Sequence, residues 1–413
     1  MRFFYLIFVF LLLALLSACG TGQHFKNIEQ GTSPINTSTP ITLKVATFNV
    51  SMEATNYVEN NQKAMSNAAL RTALKSGEHP QIKNIAEIVQ RVAPDIILLN
   101  EFDYIADKQQ GITLFKQKYL EVSQRGQQSI SYPFVYLAPV NTGMKTPFHQ
   151  DKKSRLSHFG FGKYEGQYGM VLLSKYPIGP TEVRTFQHFL WKDMPNHLMP
   201  KETDGNHWYR KNEVELMRLS SKSHWDIPVM VCGETIRVLA SHPTPPVFDG
   251  PEDRNGRRNH DELRFWADYI NNSSTSYHYD DNGTKGGIPD NSPFVILGDL
   301  NASPVEGDAF PGAISQLLTH PKVNSKIIPE SEGGVLNRNA SEFAANHTAS
   351  WGIRADYVLP SIDFNVMSSG VFWPKPQSPL SRLVSTREAS SDHRLVWVTL
   401  QLPVKTNDCI SKD

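Results

Sequence analysis

The chain has 413 residues, 41 Lys and Arg against 41 Asp and Glu, and an apolar fraction of 39%. That length holds one large domain or two smaller ones with a sizeable core, and the composition excludes a disordered or collagen-like chain. A formal net charge of zero excludes a global field that would draw the protein to nucleic acid, so any preference for a charged partner must come from local patches.

In chain order, the first segment is MRFFYLIFVFLLLALLSACG. One basic residue, a short apolar run and a small-residue stretch make a secretory signal, too short to read as a good spanning helix. Leu16-Ser17-Ala18-Cys19 resembles the lipobox of bacterial lipoproteins, which implies a signal peptide over residues 1–18, lipidation at Cys19 and a membrane partner reached through the lipid anchor. Gly20 stands where the pattern would carry an inner-membrane retention aspartate, so the expected location is the outer membrane or cell surface, facing a non-cytoplasmic compartment. Residues 19–40 are polar and rich in Ser, Thr and Pro, the composition of a flexible tether. Cys232 and Cys409 would share an oxidising compartment, and whether they pair is left open.

From ITLKVATFNV onward, strand-like runs alternate with helical ones as far as VWVTLQLP, which predicts one α/β domain over residues 41–403 and a tail over 404–413. Ile82, Ile85, Ile88, Val89 and Val92 recur at helical spacing before Pro94, and DIILLNE then begins a buried strand. Leu263, Trp266, Ala267 and Ile270 mark a second amphipathic helix, whose apolar face belongs to the core. Residues 141–166 form an insert, and its basic cluster of Lys145, Lys152, Lys153 and Arg155 is one candidate patch for an anionic partner, although a charge run in a polar insert is more often a solvated loop. Residues 271–292 are turn formers and predict a long surface loop.

Polar residues end or interrupt many of the apolar runs. Asn49 sits in KVATFNV, Glu101 ends DIILLNE, His242 follows TIRVLAS, and Asp299 and Asn301 stand in VILGDLN. Asp356 lies in RADYVL, and Asp392-His393 precede RLVWVTLQL. Each alone is an ordinary capped turn. Together they point to one sheet edge, because strand ends on one edge converge in a crevice where ligands bind.

KVATFNV, PDIILLNE, GMVLLSKYPI, VILGDLNASP, RADYVL and SSDHRLVWV, in this order, resemble the endonuclease/exonuclease/phosphatase superfamily, the deoxyribonuclease I-like proteins. The resemblance runs from about residue 43 to 402. It implies a four-layer α/β sandwich of two packed mixed β-sheets flanked by helices. It also implies a metal-dependent phosphoesterase, acting on phosphomonoesters or phosphodiesters by in-line attack of an activated water. The matched metal residues are Asn49, Glu101 and Asp392, with Mg²⁺ the expected cofactor and Mn²⁺ able to replace it. His393 matches the base and Asp356 the carboxylate that orients it. Asp299 matches the residue holding the attacking water, Asn301 a donor to a phosphoryl oxygen, and His242 a second histidine on the phosphate and leaving group.

Two departures stand out. PTPPVFDG follows His242, a Pro-rich stretch that could shape a leaving-group pocket. Gln167 or Tyr168 stands where some relatives place an acid, which leaves His242 without that support. Arg257 and Arg258 are candidate clamps for a second phosphate, although the acids around Arg254, Arg257 and Arg258 favour surface pairing. A monomer acting on a phosphate ester is expected. Extracellular nuclease activity is an alternative that the neutral charge does not favour, and a non-catalytic surface binding module is the reading from another class.

Overall fold

Buried strands written as unbroken apolar runs need cover on both faces, and the computed structural model provides it with four layers. It describes residues 41–58, 63–272, 276–337 and 341–402. The strands are β1 (Thr42–Met52), β2 (Ile96–Phe102), β3 (Phe134–Tyr136), β4 (Met170–Ser174), β5 (Arg184–Thr185) and β6 (His224–Val231). They continue with β7 (Glu234–Ser241), β8 (Phe294–Asp299), β9 (Asp356–Pro360), β10 (Asn365–Val371) and β11 (Val396–Gln401). One sheet has the order β10-β11-β1-β2-β4-β3 and the other β5-β6-β7-β8-β9. Both are mixed: β1 runs parallel to β2 and β7 to β8, while β1–β11 and β8–β9 are antiparallel.

Side-chain alternation along each strand explains how the layers stack. Ile96 and Leu98 of β2 join Trp225, Ile227, Val295 and Leu297 in the core between the sheets. Ile97 and Leu99 point the other way, into a cluster with Ile82, Ile85, Ile88 and Val89. These last four come from α2 (Pro80–Val92), which follows α1 (Ala68–Ser76). The fixed φ of Pro80 suits the first helical turn, and Ala93, in the left-handed region at φ 51°, ends the helix just before Pro94. On the far side, Leu263, Trp266 and Ile270 of α3 (Arg254–Asn271) pack on Leu239, Ile296 and Leu359.

Residues 276–292 are more than the expected surface loop. Phe189, Phe265 and Tyr277 surround His278, whose buried Nε2 donates to the Phe265 carbonyl at 3.0 Å. Burial pushes that imidazole down to about 3, so it is neutral and structural. A Tyr-His-Tyr run in a turn-rich context was the available signal, since aromatic residues recover hydrophobic area wherever a groove is open to them. The lipidation expected at Cys19 and the expected tail both fall outside the described residues. Cys232 is disulfide-bonded, but the pairing with Cys409 also falls outside them. Among the described residues no helix is long and apolar enough to cross a membrane.

Candidate active site

Parallel β1–β2 and β7–β8 pairs, each flanked by antiparallel partners, bring strand ends and strand beginnings to one edge. Asn49 arrives on β1, Glu101 on β2, His242 just after β7 and Asp299 at the end of β8. Asp356 opens β9, and Asp392-His393 lie just before β11. The backbone is bent to deliver them. Ser51, Glu101 and Asn301 all have positive φ, at 46°, 57° and 52°, a conformation that costs on the order of 1 kcal/mol or more outside glycine. Gly298 solves a tighter problem. A Cβ there would meet the Ser241 carbonyl oxygen at 2.0 Å, so only glycine lets β8 come close enough to β7 to place Asp299 beside His242.

The side chains form a set of hydrogen bonds and close charged contacts. His393 Nδ1 donates to Asp356 Oδ2 at 2.9 Å, and Thr348 Oγ1 donates to the same oxygen at 2.7 Å. His393 Nε2 faces Asp299 Oδ2 at 3.5 Å, and His242 Nε2 faces that oxygen at 3.4 Å. Asn49 Nδ2 donates to Asp299 Oδ2 at 3.0 Å. Asp299 Oδ1 accepts from the Asn301 backbone N–H at 3.1 Å, while the Asn301 amide Nδ2 donates to the Pro243 carbonyl at 3.2 Å. Ser51 Oγ donates to Asp392 Oδ1 at 3.1 Å, tying β1 to the segment before β11. The edge of the Trp351 ring system packs against His393, with centroids 4.9 Å apart at 84°.

Around Glu101 the site is crowded with carboxylates. Burial, reinforced by Glu101, pushes Glu53 up to about 8. Burial likewise raises Asp103 to about 7, against hydrogen bonds from Tyr164 and the Ala54 N–H. Asp299 is raised to about 7 by burial, with His393 opposing and Asp356 adding to the rise, and Glu101 itself is raised by burial and by Asp392. His393 shows the converse: burial opposes its charge, but Asp356, Asp299 and Asp392 overcome that and lift it to about 10. A site with this excess of buried negative charge is built to receive positive charge. Arg387 supplies some, reaching Asp392 Oδ2 at 3.2 Å and Glu53 Oε1 at 3.4 Å. Glu53, Asp103, Arg387 and the buried Asn100, which accepts from the Asp299 N–H at 3.2 Å, were not singled out from sequence. Asp103, two residues past Glu101 in NEFD, was the nearest available signal.

Two groupings could hold a cation. Glu101 and Asp392 offer only hard oxygen, which suits a divalent metal that keeps water bound. Asp299, Asp356 and His393 also lie close enough for their ligand atoms to share an ion. In that trio, however, His393 Nδ1 is already committed to Asp356, so the donor set suits proton transfer better than coordination. Asn49 lies beside both carboxylates, with a hydrogen bond to Glu101 as well as to Asp299. Its nitrogen faces Asp299 and its Oδ1 accepts from the Ser51 N–H at 3.1 Å, so it orients a carboxylate here.

Two adjoining cavities of about 700 and 510 Å³ open at this edge, and Glu101, His242 and Arg387 line both. Asp299, Asn301, Trp351, Asp392 and His393 line only the smaller. The larger is walled by residues 155–158, 160 and 161 of the insert, and the PTPPVFDG loop borders both. His242 gains a carboxylate neighbour in Asp299 rather than from position 167 or 168, while its Nδ1 has no hydrogen-bond partner among the described residues. Burial first, then Lys222 and His393, holds this imidazole well below the ordinary range and therefore neutral. The arginine clamp is corrected by the geometry. Arg257 lines neither cavity, with Nε donating to the Glu252 carbonyl and its guanidinium over Phe310. Arg258 is buried and donates to the carbonyls of Leu219, Phe159, Arg218 and Ser220, which makes it a scaffold residue.

The pattern of the Endonuclease/Exonuclease/phosphatase family matches residues 46–393. The chain belongs to this family. No curated protein sequence matches it. Among solved structures, an endonuclease/exonuclease/phosphatase from Beutenbergia cavernae DSM 12333 is similar at 17% identity and a TM-score of 0.47, covering 87% of this chain and 72% of that one. A family protein from Leptotrichia buccalis C-1013-b has 13% identity and a TM-score of 0.45, with 87% and 100% covered. The human Nocturnin catalytic domain with bound sulfate has 14% identity and a TM-score of 0.43, with 87% and 94% covered. Membership of the family supports phosphoester hydrolysis with a divalent metal in general terms.

Proposed function

We propose that this family member is a Mg²⁺-dependent phosphoesterase that hydrolyses phosphomonoesters or phosphodiesters through in-line attack of water. The observation that carries the reading is the His393 imidazole, anchored at Nδ1 by Asp356 and presenting Nε2 toward Asp299 in an open cavity. In this reading Asp299 holds the water and His393 takes its proton. Asn301 turns its amide toward a phosphoryl oxygen, and neutral His242 hydrogen-bonds another. Glu101 and Asp392 hold the cation, with Asn49 orienting the carboxylates. A bound divalent cation would supply charge neutralisation at the phosphoryl group, and Mn²⁺ would serve in its place. With the carboxylates that keep His393 charged offset in this way, the imidazole moves toward the range where a base works at neutral pH.

Substrates outside the cytoplasm fit a chain tethered by residues 19–40 to a lipid at Cys19, in the outer membrane or at the cell surface. Small organophosphates and phospholipid headgroups are favoured over nucleic acid. Arg155, Arg254 and Arg387, the exposed-side Arg residues of the larger cavity, are already paired with Glu202, with Glu252 and with Glu53 and Asp392, and leave little to track a phosphate backbone. The test is nitrophenol release from mono- and bis-(nitrophenyl) phosphate with Mg²⁺ and with chelator. Chelator-sensitive turnover that disappears in His393→Ala supports the proposal. Chelator-resistant turnover, or none with any divalent metal, refutes it and leaves the binding-module reading.

A further inference from the structure

Lys222 precedes β6 and lines the larger cavity, yet its side chain is almost wholly buried, at 5% exposure. Burying an ammonium is strongly unfavourable unless partners satisfy it. Here Nζ makes one hydrogen bond among the described residues, to the Pro243 carbonyl at 3.3 Å. The nearby Glu262 does not complete the set. Its two carboxylate oxygens accept from the backbone N–H groups of Ser221 and Thr244, at 2.7 and 2.6 Å. The other Arg residues of this cavity are engaged: Arg155 with Glu202, Arg254 with Glu252, Arg387 with Glu53 and Asp392, and Arg258 with main-chain carbonyls. Lys222 thus keeps donor capacity beside open space.

Its position relative to the reacting groups is fixed by one oxygen. The Pro243 carbonyl accepts from both Lys222 Nζ and Asn301 Nδ2, so those nitrogens are separated by no more than two hydrogen bonds end to end. Pro243 itself follows His242. The water-activating groups Asp299 and His393 line only the smaller cavity, Lys222 only the larger, and His242 stands between them. In-line displacement places the departing oxygen opposite the attacking water. If water enters from the His393 side, the leaving group points into the larger cavity, toward Lys222.

We infer that Lys222 is the leaving-group residue, its ammonium donating to the ester oxygen that departs into the larger cavity, where the substrate's alcohol portion is held. The inference deepens the phosphoesterase reading and rests on it. The water oxygen bonds to phosphorus and its proton passes to His393 Nε2. The bond from phosphorus to the ester oxygen breaks, and the electron pair stays on that oxygen. Lys222 gives it a proton and regains one from solvent through the cavity mouth, and His393 returns its own to solvent. Burial holds the ammonium below the ordinary lysine range, which favours this transfer.

The experiment compares nitrophenyl, phenyl and methyl esters of phosphate, with Mg²⁺, in wild type, Lys222→Met and Lys222→Arg. The wild type should show kcat/KM values that depend only weakly on the acidity of the leaving alcohol. Lys222→Met should lose about tenfold or less on the nitrophenyl ester, which leaves unaided, and on the order of a hundredfold or more on the phenyl and methyl esters. Lys222→Arg should recover part of that loss, since it restores charge. An equal loss on all three esters, or no loss, overturns the inference and leaves the phosphoesterase reading intact. A steep dependence on leaving-group acidity in the wild type overturns it even where a variant fails to fold. Hydrolysis of none of the esters by wild type refutes both readings together.

Discussion

His393 Nδ1 lies 2.9 Å from Asp356 Oδ2, and Thr348 Oγ1 donates to that same carboxylate oxygen at 2.7 Å. The carboxylate therefore sets which imidazole nitrogen carries the inward-facing proton, leaving Nε2 for the water. Replacing Asp356 with Asn keeps the shape but allows the amide to donate to Nδ1, which reverses the tautomer. Asp356→Asn is expected to lower kcat on the order of a hundredfold or more with little change in KM, measured by steady-state nitrophenol release. A raised KM with kcat unchanged would show that Asp356 serves ground-state binding instead.

Gly298 should tolerate no side chain. Because an added Cβ would stand only 2.0 Å from the Ser241 carbonyl oxygen, Gly298→Ala must push β8 from β7 at the residue before Asp299. Overpacking of this kind costs about 1–3 kcal/mol. The variant is expected to melt several degrees lower and to lose activity more than stability alone explains. Unchanged melting would show that the strands separate freely at this edge.

Stability should depend on pH and metal together. Glu53, Asp103 and Asp299 are raised in the folded protein, to about 8, 7 and 7, so the folded state holds protons that the unfolded chain has released. With raised carboxylates, stability is greatest below their unfolded values near 4 and declines as pH rises toward 7–8. His393, raised to about 10, contributes in the same sense: its stabilisation is full below its unfolded value near 6.5 and is lost as pH approaches 10. Chelated protein is thus expected to melt lower at pH 8 than at pH 5. Added Mg²⁺ should narrow that gap, because a cation favours the ionised carboxylates. Melting curves at the two pH values, with and without chelator, decide it; a gap that Mg²⁺ leaves untouched would place the cation elsewhere.

Arg387 bridges Glu53 and Asp392 and borders both cavities. A divalent cation held by Glu101 and Asp392 would meet that guanidinium as a like charge, so the two compete for Asp392. Arg387→Met is expected to tighten divalent-metal binding severalfold, read by calorimetric titration of the chelated protein with Mn²⁺. Weaker binding would mean that Arg387 orients Asp392 for the metal rather than competing for it.

Local pattern determined a good deal of this protein by itself. Alternation in DIILLNE and VILGD, helical spacing from Ile82 to Val92, and polar residues at run ends are consequences of side-chain periodicity, and periodicity is written residue by residue. The ordered motifs were enough for the four-layer sandwich, and they named residues from Asn49 to His393 that the structure brings to one sheet edge. What needed the tertiary structure was everything decided by distance between remote segments. Sequence spacing does not state that Asn49 would turn its nitrogen rather than its oxygen to the site, or that Arg258 would cap main-chain carbonyls. Nor does it state that Arg387 would reach Glu53, or that a lysine ahead of β6 would share one carbonyl with Asn301. Those outcomes depend on how two sheets dock and which lone pairs remain unfilled afterwards, and that is settled only once the layers are in contact.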